Sequence, residues 1–133
     1  MRPGIDPALR HVRWIFLAAG SYGVLALAPG FLVKEELVVT TPPVITHPEF
    51  YYGFCGAAMV RQIAFSLIAT DPIRLRPLVA LSILEKLAFF GTCLVLFLTG
   101  RLTPGAPLLG GAIDGLWMTL FAIAWVRIRF PAS

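Results

Sequence analysis

Residues 78–98 read LVALSILEKLAFFGTCLVLFL, a long apolar run broken by one adjacent pair of charges, Glu85 and Lys86. As a helix rising 1.5 Å per residue it spans roughly 31 Å, the hydrocarbon thickness of a bilayer. The run therefore reads as a membrane-spanning helix, and the charges inside it need a reason to be there. Three further gaps between charged residues have the same character: Trp14 to about Ala28, Phe50 to Ala69 and Leu108 to Val126.

The composition agrees. Of 133 residues, 58% are hydrophobic and 14% charged, with a mean hydropathy of +0.83, against a charged share of about 25% in ordinary soluble domains. A water-soluble domain this small buries only roughly two thirds of the surface its unfolded chain exposes, too little for such a composition. The same figures exclude a disordered chain, a collagen-like chain, a coiled coil and a disulfide-rich secreted module. The expected fold is all-α, an integral membrane bundle of four antiparallel transmembrane helices. It forms a single domain over residues 1–133, with helices at about 12–29, 48–70, 77–99 and 107–128.

Punctuation supports these limits. Thr46-His47-Pro48-Glu49 has the form of a capping box, in which the Thr46 hydroxyl and Glu49 carboxylate satisfy free amides at the start of the second helix. Asp71-Pro72 closes that helix, and Pro77 and Pro107 stand where a first-turn proline loses no hydrogen bond. The short connections around Ile73 and Pro104 make successive helices antiparallel neighbours. The first span covers only about 22 Å before Pro29-Gly30, so either the bilayer thins there or the helix continues through the proline to Val33. A signal peptide ending Ala26-Leu27-Ala28 is the competing account of the N-terminus. Proline directly after the tripeptide is a poor cleavage context, so an uncleaved helix is expected. The stretch from Leu37 to Ile45, rich in β-branched residues, is read as an extended flap.

Arg2, Arg10, Arg13, Arg74, Arg76, Arg127 and Arg129 fall on one side of this topology and only Lys34 and Arg101 on the other. The bias places both termini in the cytoplasm. The formal charge of +4 is thus a topology signal and a contact for membrane lipid, and no nucleic-acid partner is expected.

Four ionisable residues fall inside the spans: Arg61, Glu85, Lys86 and Asp114. A charge at mid-membrane costs about 2.5 to 3.5 kcal/mol, whereas each Leu, Ile, Val or Phe returns roughly 0.3 to 0.6. The second helix barely offsets Arg61, so the charges must meet inside the bundle. Folding the second and third helices back about Ile73 puts Arg61 level with Glu85, where the guanidinium fork suits a carboxylate. Asp114 lies roughly 6 Å further out, within reach of a long Arg or Lys. The expectation is a neutral buried cluster of Arg61, Glu85, Lys86 and Asp114 with Gln62 beside it. Such a cluster is either a ligand, proton or substrate site, or a clamp that fixes helix register.

Helical faces point the same way. Ser82, Glu85, Phe89 and Thr92 recur on the third helix, and Asp114, Trp117, Phe121 and Trp125 on the fourth. On the second, Tyr52, Cys55, Met59, Gln62 and Ser66 form a mildly polar stripe. Ala19 with Gly23, Gly53 with Ala57, and Gly111 with Gly115 are small pairs that let helices approach.

Secondary candidates are His47 with Glu49, at the outer start of the second helix, and Trp117. His47 has the chemistry of a base or metal ligand, but His11 lies at the other face, so no shared metal site is expected. Tyr51 and Tyr52 suit an interfacial aromatic belt. Cys55 and Cys93 share a depth but lie about 120° and 80° off the expected Arg61–Glu85 contact by the 100° helical step, which disfavours a disulfide. No nucleotide loop, HExxH helix, GxSxG elbow or EF-hand loop occurs, and no cofactor is expected.

Three segments, HPEFYYGF from His47, RQIAFSLIATDPIRLRP from Arg61 and LSILEKLAFF from Leu81, resemble small bacterial four-helix membrane proteins related to DoxX. The similarity covers about residues 11–129 in plan, and its motifs lie mainly between His47 and Phe90. The resemblance implies a bacterial inner-membrane location and an accessory role beside a membrane oxidoreductase or in quinol oxidation. It carries over no catalytic residue. Three functional expectations follow: an accessory subunit whose charge cluster holds a lipid-like or quinone-like ligand, a small membrane enzyme using Glu85 or Asp114 as acid or base, or a proton-coupled transporter that works as a homo-oligomer.

Overall fold

The computed structural model describes residues 6–32 and 46–129. The described residues form four helices and no strand: α1 (Pro7–Leu32), α2 (Pro48–Thr70), α3 (Arg76–Leu98) and α4 (Ala106–Arg129). Each is long and apolar enough to cross a membrane. Their polarity is inverted relative to a soluble bundle. Leu25, Val60, Leu84, Leu98 and Leu116 stand more than half exposed on the outside, while Gln62, Ser82 and Lys86 are buried.

Helix α1 is longer at both ends than the expected 12–29. Asp6 begins it, its carboxylate accepting the Ala8 amide at 2.9 Å and its carbonyl the Arg10 amide at 3.0 Å, with Pro7 in first position. At the other end the helix runs through Pro29, so its 26 residues reach roughly 38 Å and need no thinned bilayer. Tyr51 of α2 donates its hydroxyl to the Gly30 carbonyl at 3.0 Å, satisfying a group in that last turn.

The capping box does not form. His47 is the residue before α2, Pro48 occupies the first turn, and no side chain caps the helix; Glu49 instead meets His47 Nδ1 at 3.3 Å. Pro48 already removes an amide that would need a partner. Helix α3 ends in a Schellman motif, in which Gly100, at φ +69°, donates to the Phe97 carbonyl at 3.0 Å and Arg101 to that of Leu96 at 2.8 Å. Only at Gly100 does this turn require the left-handed backbone that glycine tolerates. The expected flap at 37–45, together with Arg2 and Lys34, lies outside the described residues.

The packing order is α2–α1–α4–α3, with the first and last helices in contact at the centre. Helices α2 and α3 share the tightest loop, yet theirs is the slightest of the four helix–helix contacts. The expectation that successive helices are antiparallel neighbours therefore holds closely for α3 with α4 and only loosely for α2 with α3. The dry core sits off-centre, toward the end that carries Arg10, Arg13, Arg74, Arg76, Arg127 and Arg129. Phe16, Phe65 and Phe121 are wholly buried there, with Phe16 stacked on Phe121 at 4.5 Å and Phe65 edge-on to Phe121 at 5.0 Å.

Two of the three small-residue pairs lie at helix contacts. A Cβ on Gly20 or Gly23 would collide with α2, and one on Gly111 would fall 2.6 Å from the Cys93 Cβ. Gly53 has open space around it and Ala57 is exposed, so that pair packs against nothing within the chain. Because the Cys93 Cβ is fixed to the backbone and cannot swing aside, Gly111→Ala should destabilise the bundle by about 1 to 3 kcal/mol, with partial recovery on adding Cys93→Gly. Thermal unfolding in detergent reads the effect, and an unchanged midpoint for the single variant would show that α3 and α4 separate freely.

Candidate functional site

The bundle's polar interior is centred on Lys86, ten residues and roughly 15 Å from the start of α3. Val79, Ser82, Lys86 and Cys93 form the buried stripe of this helix, at helical spacing, which carries the Lys86 side chain inward. The ammonium lies 3.0 Å from Asp114 Oδ1 on α4 and 3.6 Å from Glu85 Oε2 on its own helix. It also stands 5.4 Å above the Phe65 ring, so the aromatic core forms the floor of the charge cluster. The Lys86 side chain is 7% exposed, against 17% for Asp114 and 24% for Glu85. Lysine, rather than arginine, is therefore the desolvated cation.

Above this floor all four helices surround a cavity of about 220 Å³. Its walls are mainly apolar, with Gln62, Glu85, Lys86 and Asp114 supplying the polar groups and Tyr22, Phe54, Phe89 and Trp117 the rings. Gln62 is buried, gives its amide to the Ala58 carbonyl at 3.1 Å, and sits in space that any side chain at Gly23 would occupy. Two atoms of cavity-lining residues have no hydrogen-bond partner among the described residues: Glu85 Oε2 and Trp117 Nε1. Buried polar atoms left in this way are costly and mark places where a further group fits.

The sequence expectation of an Arg61–Glu85 clamp is corrected. Arg61 is only partly buried and makes no ion pair or hydrogen bond with a described residue, although its charge lies within electrostatic reach of Glu85. Equal depth does not fix rotation about the helix axis. Helix α2 turns its Cys55, Gln62, Phe65, Ile68 face inward, which leaves Arg61, one 100° step from Gln62, on a groove of about 590 Å³ between α2 and α3. Glu85 borders both this groove and the central cavity.

The other candidates stay apart. His47 and Glu49 pair on the exposed end of α2, and His11 is bonded to the Pro7 carbonyl at 2.6 Å at the opposite end. Among the described residues no three His, Cys, Asp or Glu side chains come together as a metal site. Cys55 and Cys93 are buried and free. Phe65 was missed by sequence reasoning, since a phenylalanine among so many apolar residues carries no signal of its place under a charge. Searches against protein-family models, curated proteins and solved structures give no match for this chain.

Proposed function

We propose that the chain is a multi-pass protein of a bacterial inner membrane with both termini in the cytoplasm, acting as an accessory subunit that holds a quinone-like or lipid-like ligand in its central cavity. The observation that carries this reading is a buried ammonium held between two carboxylates at the wall of an otherwise apolar cavity. At about 220 Å³ the cavity is smaller than the roughly 300 to 1,000 Å³ of typical ligand sites, so it suits a single ring or a small polar head whose tail stays among lipids. Lys86 and the Trp117 N–H are donors, which favours a head bearing carbonyl oxygens. The gathering of Arg10, Arg13, Arg74, Arg76, Arg127 and Arg129 at one end, against Arg101 at the other, supports the orientation. The resemblance to DoxX-related proteins is in keeping with a redox partner.

Titration with duroquinone, a tailless benzoquinone, tests the reading. In lipid nanodiscs it should quench tryptophan fluorescence with a saturable component that vanishes in Trp117→Phe and weakens about tenfold or more in Lys86→Met, the loss of one charge-assisted hydrogen bond. Quenching that rises linearly and equally in all three proteins would refute the site.

A further inference from the structure

Helices α2 and α3 meet only slightly and leave a groove between them, whereas α2–α1, α1–α4 and α4–α3 pack more closely. On that groove lies Arg61, a cation at membrane depth with no ion pair or hydrogen bond to a described residue. A charge so placed is costly in a membrane and is commonly paired. Across the same groove stands Glu85, whose buried Oε2 makes no hydrogen bond and meets only the Lys86 ammonium, at 3.6 Å.

We propose that the α2–α3 face is the interface of a homodimer, two copies meeting about a two-fold axis along the membrane normal, with each copy's Arg61 paired to the Glu85 of the other. The depths make this reciprocal. Arg61 lies nine residues from the end of α2 at Thr70, and Glu85 nine residues from the start of α3 at Arg76, each roughly 14 Å from the loop that joins them. Rotation about the normal preserves depth, so both Arg–Glu contacts form at once, as an isologous interface requires. Leu81 and Leu84, both more than half exposed on the rim of the groove, supply apolar ridges that enter the partner's groove. A lipid tail would cover those leucines equally well, but it brings no anion to the level of Arg61. Glu85 borders both sites, but Arg61 does not line the central cavity, so a change at Arg61 tests the dimer apart from the ligand reading.

The test co-expresses two differently tagged chains, one with Arg61→Leu and one with Glu85→Leu, and counts subunits in nanodiscs at low protein-to-lipid ratio. Wild type should be dimeric, and each variant alone should dimerise about tenfold or more weakly. The mixture should form heterodimers well beyond the two-to-one excess over each homodimer that random pairing gives, because only the heterodimer keeps one Arg61–Glu85 pair. A monomeric wild type, variants that dimerise like wild type, or a merely statistical mixture would each overturn the proposal. Glu85 also touches Lys86, so a second measurement keeps the native charges. In a Cys55→Ala, Cys93→Ala background, Leu81→Cys should cross-link to itself on oxidation and Leu116→Cys, on the outer side of α4, should not. The reverse pattern would sink the interface. Duroquinone quenching by Arg61→Leu should match wild type, so failure of the dimer and failure of the ligand site are read separately.

Discussion

Replacing Lys86 by methionine is expected to destabilise the bundle by about 3 to 5 kcal/mol, the usual consequence of removing one partner of a buried ion pair. Asp114, its side chain 17% exposed and bonded to the ammonium at 3.0 Å, is then left as an uncompensated anion in a low-dielectric interior, and Glu85 loses its nearest cation. The double variant Lys86→Met, Asp114→Leu should recover most of that loss, because replacing both partners by apolar groups of similar volume is often neutral or better. The four mid-membrane charges are balanced, two against two, and the double change leaves Arg61 with Glu85, so net charge inside the bilayer stays zero. Reversible unfolding in mixed detergent micelles gives the three energies of the cycle. The double variant also separates the two meanings of the cluster. A stable double variant that no longer binds duroquinone shows that the charges serve a ligand; one that binds as well as wild type shows that they fix helix register and nothing more.

The second large effect is expected at Phe121. Its ring is wholly buried, stacked on Phe16 at 4.5 Å and edge-on to Phe65 at 5.0 Å, so it joins three of the four helices. Phe121→Ala should lower stability by about 2 to 3 kcal/mol, less than the 3 to 5 of a water-soluble core. Lipid is as apolar as the bundle interior, so transfer contributes little and the lost packing accounts for nearly all of the change. The same variant should also weaken duroquinone quenching, since Phe65 would lose its support beneath the Lys86 ammonium. Loss of stability with unaltered quenching would show that the floor of the cavity does not depend on the aromatic stack.

Much of the fold was legible because a bilayer reads length and charge directly. The gaps between charged residues located four spans, and Pro77 and Pro107 stand in the first turns of α3 and α4 as expected. The reach from Lys86 to Asp114 followed from depth alone. What depth could not supply was azimuth. Arg61 and Gln62 are adjacent in sequence and nearly equal in depth, and a residue-by-residue reading preferred the charged one as the interior partner. The structure turns Gln62 inward because Gly20 and Gly23 on α1 let α2 approach on that side, a contact between helices that no single-helix pattern contains. The splay of α2 from α3 was hidden for the same reason. A five-residue connection fixes where two helices begin but not how long they stay together, and the contact between α1 and α4 decides the rest.

That last contact also bears on biogenesis. Of these four helices α1 is made before the others and α4 after them, and the two adjoin each other at the middle of the packing order. Lys86 likewise waits for Asp114, twenty-eight residues further along the chain. During synthesis the ribosome therefore delivers two outer helices, one bearing an arginine and one a lysine, before the segment that closes the assembly exists. Until α4 emerges, these charges must be sheltered by the insertion machinery, by lipid headgroups drawn inward, or by Glu85 alone. Helix α4 works as a keystone, and its arrival turns a set of individually costly spans into one stable unit.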